Sequence, residues 1–269
     1  MHEYEVRRFT CTKNDLTGVP KDQLRFLLFS SKLLNELNML SRLSFIQSNS
    51  MGPEIQSKSV GPERAEQECQ TAQVMYFLKL LASTIWEGWC GLERVYFKGS
   101  WSRAHTLALD QRAADALREL KSDLSRKSIL STIRNKTSFH LDADFLMTEF
   151  MRMDDEHSLT AVVASDNANT LLYFAEEVSG RAVLVEVSEG LVSQHNMDQL
   201  LKAILRLAKL FTEFLAGGIF VTLEQHAPDA LAIRSSEKLK LEDRPSIDEI
   251  DMPCLVRPRG SPRNGAARS

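Results

Sequence analysis

Cysteine is scarce in this sequence of 269 residues. The four cysteines are far apart in the chain, and none forms a C-x-x-C pair; they are Cys11, Cys69, Cys90 and Cys254. This spacing indicates neither a zinc site nor a disulfide framework. We therefore expect reduced thiols, as in a cytosolic protein.

Long apolar runs are missing as well. The N-terminal stretch MHEYEVRRFTCTKND lacks the apolar region of a signal peptide, and no run of about 18 uncharged apolar residues occurs. The 33 Lys and Arg residues against 36 Asp and Glu leave a net charge of -3, so no overall basic field attracts nucleic acid or anionic membrane. We expect a cytoplasmic protein without a membrane partner, in which any nucleic-acid contact is local.

The motifs of several common enzyme classes are also lacking. The sequence contains no G-x-x-x-x-G-K-[ST], G-x-G-x-x-G or G-x-S-x-G. It therefore gives no support for a nucleotide-binding protein with one of the usual phosphate-binding loops, or for a hydrolase with a nucleophile elbow. The residues His105, His157, His195 and His226 are isolated, and no E-x-x-H pattern would place metal ligands on one helix face. We expect no metal and no cofactor.

Apolar residues recur at three- and four-residue spacing, which predicts an all-α fold. A first helix is predicted over 21–47, and a second begins near Pro62, with Gly88 filling a gap in its apolar register. The predicted organisation is an N-terminal arm over 1–19, one helical domain over 20–226 with a mobile Gly-Pro-rich loop at 48–62, and a disordered tail over 227–269.

Further helices follow the second one. The segment KGSWSRAHTLALDQ interrupts the pattern, after which Asp110 is placed to cap a third helix. Its inward face is Ala113, Ala116, Leu117, Leu120 and Leu124. A short helix with Ile129, Leu130 and Ile133 comes next.

The chain then reorients at HLDAD, where Asp142 and Asp144 are N-cap residue types for a short helix, FLMTEFMRM. An edge of extended structure is expected at 159–163. The next helix is predicted from an inward face of Leu171, Phe174, Ala175, Val178, Ala182 and Val185. The last runs over about 197–225, and no sheet can be assembled from the remainder.

The stretch SILSTIRNKTSFHLDAD carries groups suited to phosphodiester chemistry where a helix ends. Arg134 offers a planar set of donors for phosphate oxygens, and His140 can exchange a proton near neutral pH. Asn135 can donate to a phosphate or hold a neighbour in place. Cleavage of RNA without metal needs a base, an acid and positive charge on the phosphorane, which an arginine and a histidine supply.

Helix geometry separates Arg134 from His140. On a straight α-helix they lie about 120° apart around the axis and about 9 Å along it. A bend at the end of the helix or a second chain would bring such groups together, and Asp142 is a candidate orienting partner. The structural alternative is a helix-terminal arginine paired with a local carboxylate and a capping histidine.

IRNKTSFHLD resembles the R-x(4-6)-H signature of the HEPN superfamily, with Asn135 after Arg134 and five residues between Arg134 and His140. NANTLLYFAEEV, over 167–178, resembles a segment of uncharacterised bacterial members, and the similarity extends over about 20–226. The resemblance implies an antiparallel helical bundle with additional C-terminal helices. It also implies a homodimer that places two motifs in one cleft.

Active members of that superfamily are metal-independent endoribonucleases that leave 2′,3′-cyclic phosphate ends. Many serve in toxin-antitoxin, abortive-infection or CRISPR-linked defence, so the resemblance implies an RNA substrate and an antitoxin or regulatory partner. By this carry-over Arg134 stabilises the scissile phosphate, His140 is acid or base, and Asn135 positions them. The alternative is a non-catalytic protein- or nucleic-acid-binding module. A DNA-binding role for the basic C-terminal tail is weaker, since no helix shows a basic stripe.

Overall fold

The computed structural model of the protein describes residues 12–49, 62–124, 129–138, 142–163, 170–187, 194–228, 245–250 and 252–255. The helices are α1 Lys21–Asn49, α2 Pro62–Leu92, α3 Ser102–Ala108, α4 Gln111–Leu124, α5 Ile129–Ile133, α6 Ala143–Phe150, α7 Tyr173–Val187 and α8 Gln194–His226. Two π-helical turns extend helices, Glu93–Phe97 after α2 and Arg134–Ser138 after α5. Within the described residues, the expected edge at 159–163 is reduced to one antiparallel bridge, Val162 with Leu171. The predicted all-α class is confirmed.

The long helices α1, α2 and α8 pack against one another and enclose the core. Phe26, Leu37, Ile85 and Phe211 are completely buried there. Helix α4 lies along α8, while α5 and its π-helical turn lie along α2. Helix α6 packs on α7. The result is a helical bundle, and no helix among the described residues is both long and apolar enough to cross a bilayer.

The first two helices follow their prediction closely, since α1 begins at Lys21 and α2 begins at Pro62. Gly88 fills its gap for a steric reason. A Cβ atom at that position would lie 2.6 Å from Cδ2 of Leu33, so any larger residue would force the Leu33 side chain on α1 to move. Residues 50–61, the centre of the predicted mobile loop, lie outside the described residues.

The predicted interruption after α2 is present, but it contains a short helix, α3, that was not predicted. This helix was not apparent from the apolar pattern because α3 is held by buried polar contacts and not by an apolar face. His105 is 2% exposed, its Nδ1 lies 3.1 Å from Tyr96 Oη, and its Nε2 lies 3.1 Å from the Gly218 carbonyl and 3.0 Å from Thr222 Oγ1. Burial lowers the pKa of His105, which favours the neutral ring in this network.

Helix α4 begins as predicted, because the Asp110 carboxylate accepts the Ala113 backbone N–H at 2.7 Å. All five residues of its predicted inward face are buried. They pack along α8, where the Cβ of an alanine at Gly217 would lie 2.4 Å from that of Ala113.

Helix α7 departs from its prediction at its start. It begins at Tyr173, because Leu171 belongs to the bridge, and the expected inward residues Phe174 and Ala175 are exposed. The inward face carries an ion pair near its start. The ammonium of Lys79, which is buried on α2, donates to Glu176 Oε2 at 2.7 Å.

Both ends of the bundle meet at one corner. A small apolar cluster joins the start of α1 to the end of α8 through Val19, Leu27, Leu223 and Ala227. The Cα of Gly18 lies so near that a Cβ there would be 3.4 Å from the carbonyl oxygen of His226. Further along, Ile247–Glu249 forms a 3₁₀ turn with a capping box, and this turn contacts α1.

Candidate functional site

The motif lies on the π-helical turn that continues α5. Leu130, Ile133 and Thr137 are buried, and the Thr137 hydroxyl donates to the Ile133 carbonyl at 3.0 Å. These residues face the bundle and hold the turn beside α2. Arg134 is therefore half-buried and Asn135 is exposed. Such wide turns occur often at functional sites.

Arg134 and Asn135 are brought together. Arg134 Nη1 donates to Asn135 Oδ1 at 2.7 Å, and Arg134 Nε donates to Glu87 Oε1 on α2 at 2.7 Å. Because the Asn135 oxygen accepts from Arg134, its NH₂ group is left to donate elsewhere. The guanidinium is thus oriented by one amide and one carboxylate, with further N–H donors beyond these two bonds.

A polar groove of about 440 Å³ opens beside this pair. Asn135 and Lys136 line it from the π-helical turn, and Arg152 lines it from the residues after α6. The hydroxyl residues Ser131, Thr132 and Thr148 and the ring of Phe145 complete the lining. Two cations, an amide and several hydroxyls are groups that bind phosphate oxygens.

Both cations of the groove have carboxylate partners. Lys136 pairs with Asp142, and its ammonium lies 5.9 Å from the centre of the Phe145 ring. Arg152 Nη1 lies 3.8 Å from Glu149 Oε2, while its own side chain is 61% exposed. The Lys136–Asp142 pair is partly exposed and contributes only about 0–1 kcal/mol, whereas the Glu149 carboxylate is buried and also lies 3.5 Å from Arg181 Nε.

Asp142 caps α6, as predicted. Its Oδ1 accepts the Phe145 backbone N–H at 3.0 Å, and its Oδ2 accepts from Lys136. The hydrogen bond from Lys136, followed by that from Phe145, holds the pKa of the Asp142 carboxyl below its usual range. The Asp142 backbone N–H also donates to the Lys136 carbonyl at 3.3 Å, which joins the two ends of the segment that contains His140.

His140 lies outside the described residues, together with Phe139 and Leu141. Its role as acid or base, and that of Asp142 as its orienting partner, stay predictions. Glu87, Lys136 and Arg152 are neighbours of the motif that the sequence pattern did not single out. Lys136 could have been singled out from the sequence, because Lys136 directly follows Asn135.

No group of three or more metal-ligating side chains with the arrangement of a metal site occurs in the described ranges. His157 instead lies 2.7 Å from Glu177 Oε1, and His105 belongs to the buried network between α3 and α8. Of the predicted site residues, Asn135 lines the groove, and Arg134 is hydrogen-bonded to it.

Comparison with protein-family models, with curated proteins and with solved structures gave no match.

Proposed function

We propose that this protein is a metal-independent endoribonuclease of HEPN type, which binds RNA at the groove beside Arg134. One observation carries the proposal. Arg134 and Asn135 are hydrogen-bonded to each other at the edge of a polar groove that holds two further cations, Lys136 and Arg152. This arrangement supports binding of a phosphodiester at Arg134, with neighbouring phosphates in the groove.

In the proposed reaction, the 2′-hydroxyl of the RNA attacks the adjacent phosphorus and the 5′-oxygen leaves. Arg134 neutralises the charge that develops on the phosphorane, and Asn135 keeps the guanidinium oriented. His140 transfers the proton, as base for the nucleophile or acid for the leaving oxygen. The product is a 2′,3′-cyclic phosphate, and DNA is spared because it lacks the nucleophile.

A homodimer is part of the proposal. Helix α6 contributes Thr148 to the groove, and its exposed side presents Met147 and Phe150, followed by Met151 at its C-cap. These three residues recur at three and four positions along the helix, which forms an apolar strip beside the groove. A second copy that covers the strip would bring two motifs near each other. Toxin-antitoxin or abortive-infection defence, with an antitoxin or regulatory partner, is the setting that the motif resemblance suggests.

The test is cleavage of single-stranded RNA by the full chain in excess EDTA. We expect cyclic-phosphate ends and no cleavage of DNA of the same sequence. His140→Ala should lower the rate about a hundred- to ten-thousand-fold through lost proton transfer. Arg134→Ala should have a comparable effect, and Arg134→Lys should restore little because the planar donor set is gone.

Two matched variants serve as controls. Arg112 forms an ion pair with Glu213 at 2.7 Å, as Arg134 does with Glu87, but it lies on α4. His157 is paired with Glu177 away from the motif. Arg112→Ala and His157→Ala should leave cleavage unchanged. Cleavage that survives His140→Ala at the wild-type rate would reject the proposal.

The second candidate is a non-catalytic helical module that binds protein or nucleic acid. The Arg134–Glu87 ion pair favours it, because the pair also ties the π-helical turn to α2. In that case Arg134→Ala and His140→Ala should lower the melting temperature. The wild-type protein should not cleave RNA, whether or not it binds it. Thermal unfolding measured beside the cleavage assay separates the two candidates.

A further inference from the structure

A second groove, of about 370 Å³, lies nearer the N-terminus of α2 than the Glu87 contact of the motif, and it holds two cysteines. Cys69 lines it from α2, and Cys254 lines it from the C-terminal segment 252–255. Tyr76, Leu171 and Leu255 add apolar walls. The two cysteines are far apart in sequence, so the chain fold alone brings them to one place.

The contacts of Cys254 fix its sulfur above the helical turn that carries Cys69. Its Sγ donates to the carbonyl oxygen of Glu66 at 3.5 Å, and Glu66 precedes Cys69 by one turn of α2. Both thiols line the same groove, so Cys254 stands next to the part of α2 that carries Cys69. Neither cysteine is part of a disulfide, so the structure holds this pair in its reduced form.

We propose that Cys69 and Cys254 form an oxidisable dithiol, which a hydroperoxide converts into a disulfide that fastens the C-terminal segment to α2. The inference is independent of the proposed ribonuclease activity. It adds a modification site whose co-substrate is a two-electron oxidant of the peroxide class.

The reaction balances with hydrogen peroxide alone. The Cys254 sulfur attacks one peroxide oxygen, the O–O bond breaks, and a water molecule leaves, so that Cys254 becomes a sulfenic acid. The Cys69 sulfur then attacks the Cys254 sulfur, the S–O bond breaks, and a second water leaves. Both thiol protons end in the two waters. The two sulfurs together lose two electrons, which reduce the peroxide, and they share the remaining pair as the S–S bond.

The order of these steps follows from exposure. Cys69 is 4% exposed, whereas Cys254 is only partly buried and meets the oxidant first. Burial, followed by the neighbouring Cys254 and Glu68, raises the pKa of the Cys69 thiol to about 11. A thiol with so high a pKa is a poor leaving group, so reduction of the finished disulfide should be slow.

The experiment treats the full-length, fully reduced protein with hydrogen peroxide and measures its intact mass and its non-reduced peptide map. We expect the loss of two hydrogen atoms and a peptide that joins Cys69 to Cys254. The melting temperature should rise by roughly 5–10 °C, because the bond restrains a long segment of the unfolded chain. Dithiothreitol should reverse both changes.

Cys254→Ser tests the assignment without altering the interior of α2, and it should abolish the mass loss and the thermal shift. Cys90→Ser is the matched control, since Cys90 is also a reduced thiol on α2, and it should respond like the wild type. A disulfide that involves Cys11 or Cys90, a bond between two chains, or oxidation to sulfinic acid without a bond would each overturn the proposal.

Discussion

At the scale of single residues, Glu87 determines how Arg134 meets an anion. The pair is partly exposed, with 28% of the Arg134 side chain and 46% of the Glu87 side chain accessible. Such a pair stabilises a fold by only about 0–1 kcal/mol. A phosphate that offers two oxygens to the guanidinium can therefore replace Glu87 at little cost in stability.

Glu87→Gln should strengthen RNA binding severalfold at low salt, because it removes a negative charge and a competitor for Arg134. The measurement is fluorescence anisotropy with a labelled single-stranded RNA. Glu119→Gln is the control, since Glu119 is also 46% exposed and pairs with Arg206 on α8. Equal affinity for the wild type and Glu87→Gln would show that Arg134 does not contact the RNA.

The residues of the candidate site could be proposed from the sequence only where they are local. Arg134, Asn135 and His140 stand within one short stretch, so residue types and spacing suffice to single them out. Glu87 is 47 positions from Arg134, and its pairing depends on how the turn after α5 lies along α2. No periodicity in either helix encodes that relation.

At the scale of whole elements, the spacing between α4 and α8 is set by Gly217. The two helices approach closely at Ala113, and a Cβ on Gly217 would come within 2.4 Å of the Ala113 Cβ. That methyl group is rigid, so the backbones themselves would have to separate. At Gly180 on α7, by contrast, a Cβ would only touch the mobile end of Met75 at 3.4 Å.

Gly217→Ala should therefore lower the free energy of unfolding by about 1–3 kcal/mol, although alanine is the better helix former. Gly180→Ala, a matched exchange within a helix, should be neutral or should stabilise by up to about 1 kcal/mol. Urea unfolding followed by circular dichroism measures both changes. Equal stability of the two variants would mean that α4 and α8 can move apart freely.

The elements with a continuous apolar face were the ones that the sequence predicted well. Helices α1, α2, α4 and α8 each repeat such a face over several turns. A helical spacing of apolar residues that is sustained for so long rarely arises by chance. Helix α3 was missed because a buried polar contact of His105 holds it, and the start of α7 was placed too early because Leu171 pairs with Val162 in a bridge. A pattern of apolar residues cannot report a buried hydrogen bond.

At the scale of the molecule, the apolar strip on and just after α6 predicts self-association. Met147, Phe150 and Met151 are 57%, 44% and 70% exposed, beside a groove that the proposed reaction uses. Burying a methionine side chain contributes about 1.5–3 kcal/mol. In a two-fold dimer both copies bury the strip, so each side chain contributes this free energy twice.

The double variant Met147→Glu, Met151→Glu should raise the dimer dissociation constant by at least about a hundredfold. Light scattering at micromolar concentration, over a dilution series, gives the mass of each species. Leu107→Glu is the control, because Leu107 is 81% exposed on α3 and lies outside the strip. A wild-type protein that stays monomeric throughout the series would refute the dimer.

The corner where Gly18 meets the carbonyl of His226 gives the bundle a property that its core does not reveal. The chain enters α1 and leaves α8 at the same place, so the path between them is nearly a closed ring. Joining residue 18 to residue 227 and cutting new ends in a surface loop should therefore preserve the contacts among α1 to α8, although it removes those that the segments 245–250 and 252–255 make with α1 and α2. For the same reason, insertion of the bundle into a surface loop of a host protein should leave the two ends of that loop close together.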